Sequence, residues 1–384
     1  MRLGFDLRPF LKEETGVGVY LRHLLENLAK IDEKNEYYLF SSSYKDRFPR
    51  EKLPAFRNFH FRDKKIPVRC LNFFWYGFTW PPVDTFFGTC LDLTHSATPF
   101  ILPSRGKKVV TVHDLFALDY PQLAEGEARW AFRRRIKKNL VRADGIITFS
   151  EYMYRDIRRR FPFLPPEKIR VIPHGLDPLF LEPVCDAEVK AFARRKLLPS
   201  DFLLFVGTLE ARKNVARLIQ AFREISSLRP SLHLVLIGKR GREGEKIKGM
   251  VEDLGLKERV HFKGYVDRSE LKLFYHLARA LVIPSLVEGF GFPVIEAMAC
   301  SLPVLASRTS ALPEVGGEAA LYFDPENVKE IIQAIQAILD NPDLRFTLCQ
   351  KGLRRAREFS WEKAAARTLN FYEKIVGQKD EDSC

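Results

Sequence analysis

The sequence lacks a long apolar segment. Its 384 residues contain no run of 18 apolar positions, so no membrane-spanning helix is expected. The N-terminal stretch MRLGFDLRPF also lacks the apolar core of a signal peptide, and it reads as a first buried strand. Both absences favour a chain that acts in the cytoplasm.

Patterns for metal ligation and disulfide bonding are missing as well. No Cys-x-x-Cys pair or Cys/His cluster has metal-ligand spacing, and no Asp-x-Asp stands near the motifs described below. The six cysteines are widely separated, at Cys70, Cys90, Cys185, Cys300, Cys349 and Cys384. We therefore expect idle or buried thiols, no metal and no cofactor.

Positive charge exceeds negative charge, with 62 Lys and Arg against 49 Asp and Glu and a net charge of +13. The excess is concentrated in two runs, at residues 133–138 and 155–160. No helix-turn-helix, zinc-finger or RNP signature accompanies them, so nucleic acid is not the expected partner. Solvated helix faces, peripheral contact with the inner, anionic face of a membrane, and a phosphorylated acceptor remain open.

Short apolar runs alternate with helical patterns through both halves of the chain. In the first half, strands are predicted at 3–7, 37–41, 108–112 and 145–149, with helices at 18–30, 127–140 and 151–160. A second series starts at the strand 202–207, after a stretch at 173–199 that reads as a linker. The fold class is α/β, with two doubly wound parallel sheets. The predicted domains are 1–178 and 186–358, followed by a final segment at 359–384.

Aromatic residues crowd the stretch from 69 to 87. They are Phe73, Phe74, Trp75, Tyr76, Phe78, Trp80, Phe86 and Phe87. Core packing is the favoured interpretation, because aromatic rings are large hydrophobic fillers. The alternative is an exposed patch that holds an apolar acceptor or enters a membrane interface.

Two candidate site segments lie in the first half. The loop after the first strand contains Gly16 and Gly18 before a helix, and glycines there let backbone N–H groups approach a phosphate. His113 follows the strand 108–112, where an imidazole can exchange hydrogen bonds with a substrate hydroxyl. A turn and a packed histidine are the competing interpretations.

The second half carries the stronger signals. Arg212 and Lys213 follow the strand 202–206 and precede a helix, a position that suits binding of a diphosphate without a metal. Glu288 lies in a later strand-end loop, and Glu296 lies about one turn into the next helix. We expect both carboxylates at one crevice, where each can accept hydroxyl bonds from a sugar diol. The loop between them, Gly289-Phe290-Gly291-Phe292, is expected to contact the same ligand.

These segments together resemble family 4 of the retaining glycosyltransferases. The resemblance covers most of the chain and is closest at residues 206–214, 288–296 and 309–317. Two glutamates separated by seven residues, joined to the Arg-Lys-Asn loop, are that family's signature. Thr208 departs from the pattern, since many relatives carry arginine there, and Arg212 would then supply the charge.

The resemblance implies a GT-B fold, in which two domains face a central cleft and the final helix crosses back to the first domain. It implies that Arg212 and Lys213 bind the donor diphosphate, that Glu288 binds the donor sugar and that Glu296 binds the ribose. It places His113 beside the sugar and the acceptor. It also implies a metal-independent hexosyltransferase of polysaccharide assembly that retains anomeric configuration.

The expected donor is GDP-mannose and the expected acceptor is a glycan or a lipid-linked glycan. A UDP-sugar donor is the alternative within the fold. A non-catalytic sugar-nucleotide-binding or scaffold protein is the alternative from another class, and a nucleotide-sugar epimerase keeps the fold with another reaction.

Overall fold

A computed structural model describes residues 1–10, 16–45, 48, 56–119 and 128–377. The chain divides into two compact units. The first takes in the described residues of Met1–Leu118, Gly126–Gly175 and Ser360–Cys384, and the second those of Asp119–Glu125 and Leu176–Phe359. Each unit is built on one parallel sheet.

The first unit has a seven-stranded parallel sheet with strand order β3-β2-β1-β4-β5-β6-β7. Its strands are β1 (Arg2–Asp6), β2 (Glu36–Ser42), β3 (Phe59–Lys64), β4 (Leu93–Ser96), β5 (Lys107–Thr111), β6 (Gly145–Thr148) and β7 (Ile169–Val171). Its helices before the second unit are α1 (Gly16–Ile31), α2 (Val68–Phe78), α3 (Asp84–Phe87), α4 (Phe116–Asp119), α5 (Ala128–Arg142) and α6 (Glu151–Arg160).

The second unit has a six-stranded parallel sheet with strand order β10-β9-β8-β11-β12-β13. Its strands are β8 (Phe202–Val206), β9 (His233–Ile237), β10 (Val260–Gly264), β11 (Ala280–Ile283), β12 (Val304–Ser307) and β13 (Ala320–Phe323). Its helices are α7 (Asp186–Arg195), α8 (Val215–Leu228), α9 (Gly244–Asp253), α10 (Arg268–Leu277), α11 (Phe292–Ala299), α12 (Leu312–Gly316), α13 (Val328–Asp340) and α14 (Pro342–Ala356).

Hydrophobic patterning explains both sheets. Strand β8 reads Phe-Leu-Leu-Phe-Val and is buried along its whole length, as expected for a central strand of a parallel sheet. Helix α8 buries one face, including Leu218, Phe222 and Ile225, at helical spacing. The doubly wound parallel sheets predicted from the sequence are confirmed.

The C-terminal helix α15 (Trp361–Gly377) packs in the first unit, mainly on α1. The His23 ring stacks on Trp361 with centroids 5.0 Å apart. Deeper in the interface, the Tyr372 hydroxyl lies 2.5 Å from Nδ1 of His95, whose Nε2 lies 2.7 Å from Thr111 Oγ1. Burial lowers the pKa of His95 to about 3, so the ring is neutral, and its two nitrogens hydrogen-bond to the hydroxyls of Tyr372 and Thr111.

Several local predictions were wrong. The stretch 173–199 is not a simple linker, because it contains α7, whose Phe192 packs edge-on against Phe274 at 5.2 Å. Gly16 and Gly18 lie in the first turn of α1 and not in a loop before it. Thr15, the first residue of the predicted glycine loop, lies outside the described residues.

The aromatic stretch at 69–87 is not a single core element. Trp75 is buried, whereas Phe73, Phe74, Phe78 and Trp80 are exposed. The second basic run lies on α6, where Arg159 and Arg160 both pair with Asp156. The run at 133–138 lies on α5, and the side chains of Arg133 and Arg134 are outside the description.

Tyr372→Phe should destabilise the first unit by about 1–3 kcal/mol, because it leaves Nδ1 of the buried His95 without its hydrogen-bond partner. Urea unfolding followed by circular dichroism measures this change. Tyr322→Phe is the matched control, since that half-buried hydroxyl donates to the Gly317 carbonyl and its loss should cost less. Equal costs for the two variants would contradict a special role for the His95 contact.

Candidate active site

The strand order of the second sheet reverses between the neighbouring parallel strands β8 and β11. In open α/β sheets, ligands bind at such a reversal, outside the carboxyl ends of the strands. The loop after β8 carries Arg212 and Lys213, and the loop after β11 carries Glu288. The Leu286 N–H donates to the Arg212 carbonyl at 2.8 Å and joins the two loops.

Glu288 is the centre of this site and is 7% exposed. Lys213 Nζ donates to its Oε1 at 2.5 Å, and Arg212 donates to its Oε2 at 3.1 Å. The Ser285 hydroxyl donates to the same Oε1 at 2.7 Å, and the Glu288 N–H donates to Ser310 Oγ at 3.0 Å. The structure therefore brings Arg212, Lys213 and Glu288 together.

The charges of this cluster are strongly coupled. Burial alone would raise the pKa of Glu288, but Lys213 and then Arg212 outweigh it and lower that pKa to about 2. Burial also lowers the pKa of Lys213, and the Glu288 carboxylate counteracts part of that effect. Arg212 makes a further ion pair with Glu210 at 2.9 Å. The carboxylates of Glu288 and Glu210 thus hold the cationic side chains of Arg212 and Lys213 in place.

Glu296 lies on α11 with a different set of partners. Tyr275 donates to its Oε2 at 3.0 Å, and Arg268 donates to its Oε1 at 3.1 Å. Arg268 also donates to Asp177 at 2.8 Å. Glu296 is 3% exposed, so its carboxylate is held by protein groups and not by solvent.

The loop between the two glutamates is shaped by its own packing. The Phe290 ring is buried and contacts the rings of Phe292 and Phe359, with centroids 5.7 and 5.6 Å away. Gly291 has φ +111, and a Cβ there would come within 2.9 Å of Leu312. Only glycine fits this backbone, which starts α11. Direct contact between a ligand and Gly289, Phe290, Gly291 or Phe292 stays a prediction.

His113 lies in the first unit, just after β5. Its Nε2–H donates to the Ala97 carbonyl at 2.9 Å, and its ring packs against Tyr20 and Phe149. Burial lowers the pKa of His113 to about 4, although Ala97 and Asp114 oppose the shift. The ring is therefore neutral at neutral pH, with Nδ1 as an acceptor for a hydroxyl. Gly16 is exposed and Gly18 is buried within α1.

Sequence reasoning missed four side chains that support the glutamates: Ser285, Ser310, Arg268 and Tyr275. It also missed a cavity of about 240 Å³ at the carboxyl ends of β9 and β10, lined in part by Gly238, Arg240 and Lys263. Gly238 has φ +139, and a Cβ there would meet the Gly207 carbonyl at 2.1 Å. Arg212 was singled out because it follows the end of a strand. The same reasoning would have singled out Arg240, which closely follows β9.

Among the residues that the structure describes, no group of three or more His, Cys, Asp or Glu side chains is placed to hold a metal ion. No helix in the same ranges is long and apolar enough to cross a bilayer. Metal independence stays a prediction.

The chain matches two family models, Glycosyltransferase Family 4 over residues 15–179 and Glycosyl transferases group 1 over residues 188–355. It is 30% identical to O-antigen chain mannosyltransferase B of Escherichia coli, over 97% of this chain and 99% of that protein.

Solved structures are similar along nearly the whole chain. Sucrose-phosphate synthase from Thermosynechococcus elongatus has a TM-score of 0.78 and 25% identity, covering 98% of this chain and 100% of that one. HepE of Anabaena, in complex with UDP and glucose, has a TM-score of 0.74 and 16% identity, covering 96% and 98%. The latter likeness concerns the fold alone.

Replacing Glu288 with Gln should change how stability depends on pH. The pKa of Glu288 lies at about 2 in the fold, below its ordinary 4.5, so the carboxylate stabilises the fold above pH 4.5 and loses this effect as pH falls towards 2. The stability difference between wild type and E288Q should therefore shrink by about 2 kcal/mol between pH 6 and pH 3.

Urea unfolding across this pH range measures the difference. Glu318→Gln removes one negative charge from a side chain that is 91% exposed, and it serves as the control. A wild-type-to-E288Q difference that stays constant with pH would contradict the ion-paired state of Glu288.

Proposed function

Because the chain belongs to family 4 of the retaining glycosyltransferases, we propose that it transfers mannose from GDP-mannose to a glycan or lipid-linked glycan acceptor. The cluster of Arg212 with the buried Lys213 and Glu288, at the strand-order reversal, is the observation that carries this proposal. The likeness to a mannosyltransferase along 97% of the chain supports mannose as the sugar.

In this proposal, the donor diphosphate binds to Arg212 and Lys213. Their charges stabilise the negative charge that develops on the leaving diphosphate, and they are positioned before the reaction begins. Glu288 accepts a hydroxyl of the donor sugar. Glu296, which Arg268 and Tyr275 hold in place, accepts the vicinal hydroxyls of the ribose.

The transfer retains the configuration of the anomeric carbon. The bond from that carbon to the diphosphate oxygen breaks, and its electron pair leaves on the phosphate. The acceptor oxygen bonds to the same face of the sugar and passes its proton to the departing phosphate. His113, neutral because it is buried, accepts a hydrogen bond from a hydroxyl of the sugar or acceptor through Nδ1.

We propose that this reaction needs no divalent metal, since the two cationic side chains that the proposal assigns to the diphosphate would balance its charge. We also propose that the protein works in the cytoplasm, in peripheral contact with the inner face of an anionic membrane, where a lipid-linked acceptor would be met. No nucleic acid takes part.

Purified protein in buffer with EDTA should transfer mannose from GDP-mannose to a mannose-containing glycan. Release of GDP that depends on the acceptor, with NMR analysis of the new linkage, measures the reaction. UDP-glucose and UDP-galactose form the comparison panel. Transfer only from a UDP-sugar would overturn the donor assignment, and activity only after Mg²⁺ or Mn²⁺ is restored would overturn metal independence.

Lys213→Ala should lower the rate of transfer by about 10²–10³-fold, because one preorganised cation no longer faces the leaving diphosphate. The matched control is Lys272→Ala, which removes another buried lysine of the second unit, paired with Glu182 at 3.5 Å. That variant should retain most of the activity. Equal losses in two folded variants would contradict the role of Lys213.

A further inference from the structure

Helix α2 carries aromatic side chains on its outward face. The exposed aromatic face consists of Phe73, Phe74, Phe78 and the nearby Trp80, which are 65%, 43%, 65% and 62% exposed. Their rings contact one another, with Phe73 and Phe74 centroids 5.5 Å apart and Phe74 and Trp80 centroids 6.5 Å apart. These four large rings therefore form one continuous surface and are not scattered.

The inward face of α2 already provides the packing that this helix needs. Leu71 and Trp75 are buried in the core of the first unit. Trp75 Nε1–H donates to the Pro81 carbonyl at 2.9 Å, and the Arg8 guanidinium lies 4.5 Å over the Trp75 ring. Arg8 also donates to Asn72 at 2.7 Å. A helix that is apolar on both faces is normally covered on both faces. We therefore expect a binding partner to cover the outward face of α2.

Charge around this face selects the kind of partner. Residues 64–83 include Lys64, Lys65 and Arg69 but no Asp or Glu. Lys65 and Arg69 are exposed, and Arg69 stands four residues before Phe73, on the same side of the helix. The acids that flank this segment are Asp63, which is half-buried, and Asp84, which is buried. Exposed rings next to exposed cations match a surface that is negatively charged outside and apolar beneath.

We propose that the exposed aromatic face of α2 docks into the interface of an anionic lipid bilayer. The rings enter the boundary between headgroups and acyl chains, where aromatic side chains are enriched, and Lys65 and Arg69 bind anionic headgroups. This inference deepens the proposed function, since it rests on a membrane being where a lipid-linked acceptor is met, and it names the segment that makes the contact.

A second copy of the chain fits this surface less well. A two-fold dimer would place the same patch on both partners. The cations of this segment would then face their own copies, with no acid between residues 64 and 83 to pair with them. Like charges in an apolar interface disfavour that assembly.

Vesicle co-sedimentation tests the docking. Wild-type protein should pellet at low salt with vesicles of phosphatidylethanolamine and phosphatidylglycerol, and much less with phosphatidylcholine vesicles. The double variant Phe73→Ser and Phe78→Ser should bind at least about tenfold more weakly, because less apolar area enters the interface. Arg69→Gln should weaken binding about fivefold and reduce its dependence on salt.

The matched control replaces two other exposed rings, Phe163 and Phe346, which are 49% and 67% exposed, with Ser. It should bind vesicles like wild type. Vesicles should also shift wild-type tryptophan emission to shorter wavelength, and Trp80→Phe should lose this shift while still sedimenting with the vesicles. This readout places Trp80 in the interface independently of affinity.

Three outcomes would overturn the inference. Wild-type protein could stay in the supernatant with the anionic vesicles at low salt, or the Phe73/Phe78 variant could bind as wild type does. Analytical ultracentrifugation could instead show a dimer that only this variant disrupts. Transfer to a soluble glycan is measured separately, so vesicle binding without transfer would contradict the proposed function and leave the docking intact.

Discussion

The contact between Lys213 and Glu288 is the constraint on which the second unit's site depends. Both side chains are buried, and burying either charge alone would be costly, so each requires the other. The pair can form only because β8 and β11 are neighbours, although their loops are 75 residues apart in sequence. Asn214 fixes the first loop by donating to the carbonyls of Pro284 and Pro325 at 3.0 and 2.7 Å.

The two glutamates of the motif depend on different supports. Glu288 is held by cations from the loop after β8, whereas Glu296 is held by Arg268 and Tyr275 of α10. Arg268 reaches further, to Asp177 near the start of the second unit. A change at Asp177 can therefore affect Glu296 through the Arg268 guanidinium, which contacts both carboxylates, without touching the partners of Glu288.

The sequence was sufficient to predict the two parallel sheets and the strand-end position of Glu288, because apolar runs and strand-end positions are local signals. The sequence was insufficient to predict that Arg268 and Tyr275 contact Glu296, because this contact depends on which side of α10 faces α11. The sequence was also insufficient to predict which aromatic residues of α2 are buried and which are exposed. Trp75 turns inward while Phe73, Phe74 and Phe78 turn outward, and a helix with apolar residues on both faces gives no periodicity to separate them.

The electrostatics of His113 bear on the proton transfer of the proposed reaction. Burial brings the pKa of its imidazole to about 4, which makes the ring a weak base. A terminal phosphate has a second pKa of about 6 and binds a proton more strongly. If the acceptor hydroxyl loses its proton as the donor bond breaks, the departing phosphate is the better recipient. In the proposed reaction, the task assigned to Arg212 and Lys213 is then to hold that phosphate, and the task assigned to the neutral His113 is to accept a hydrogen bond.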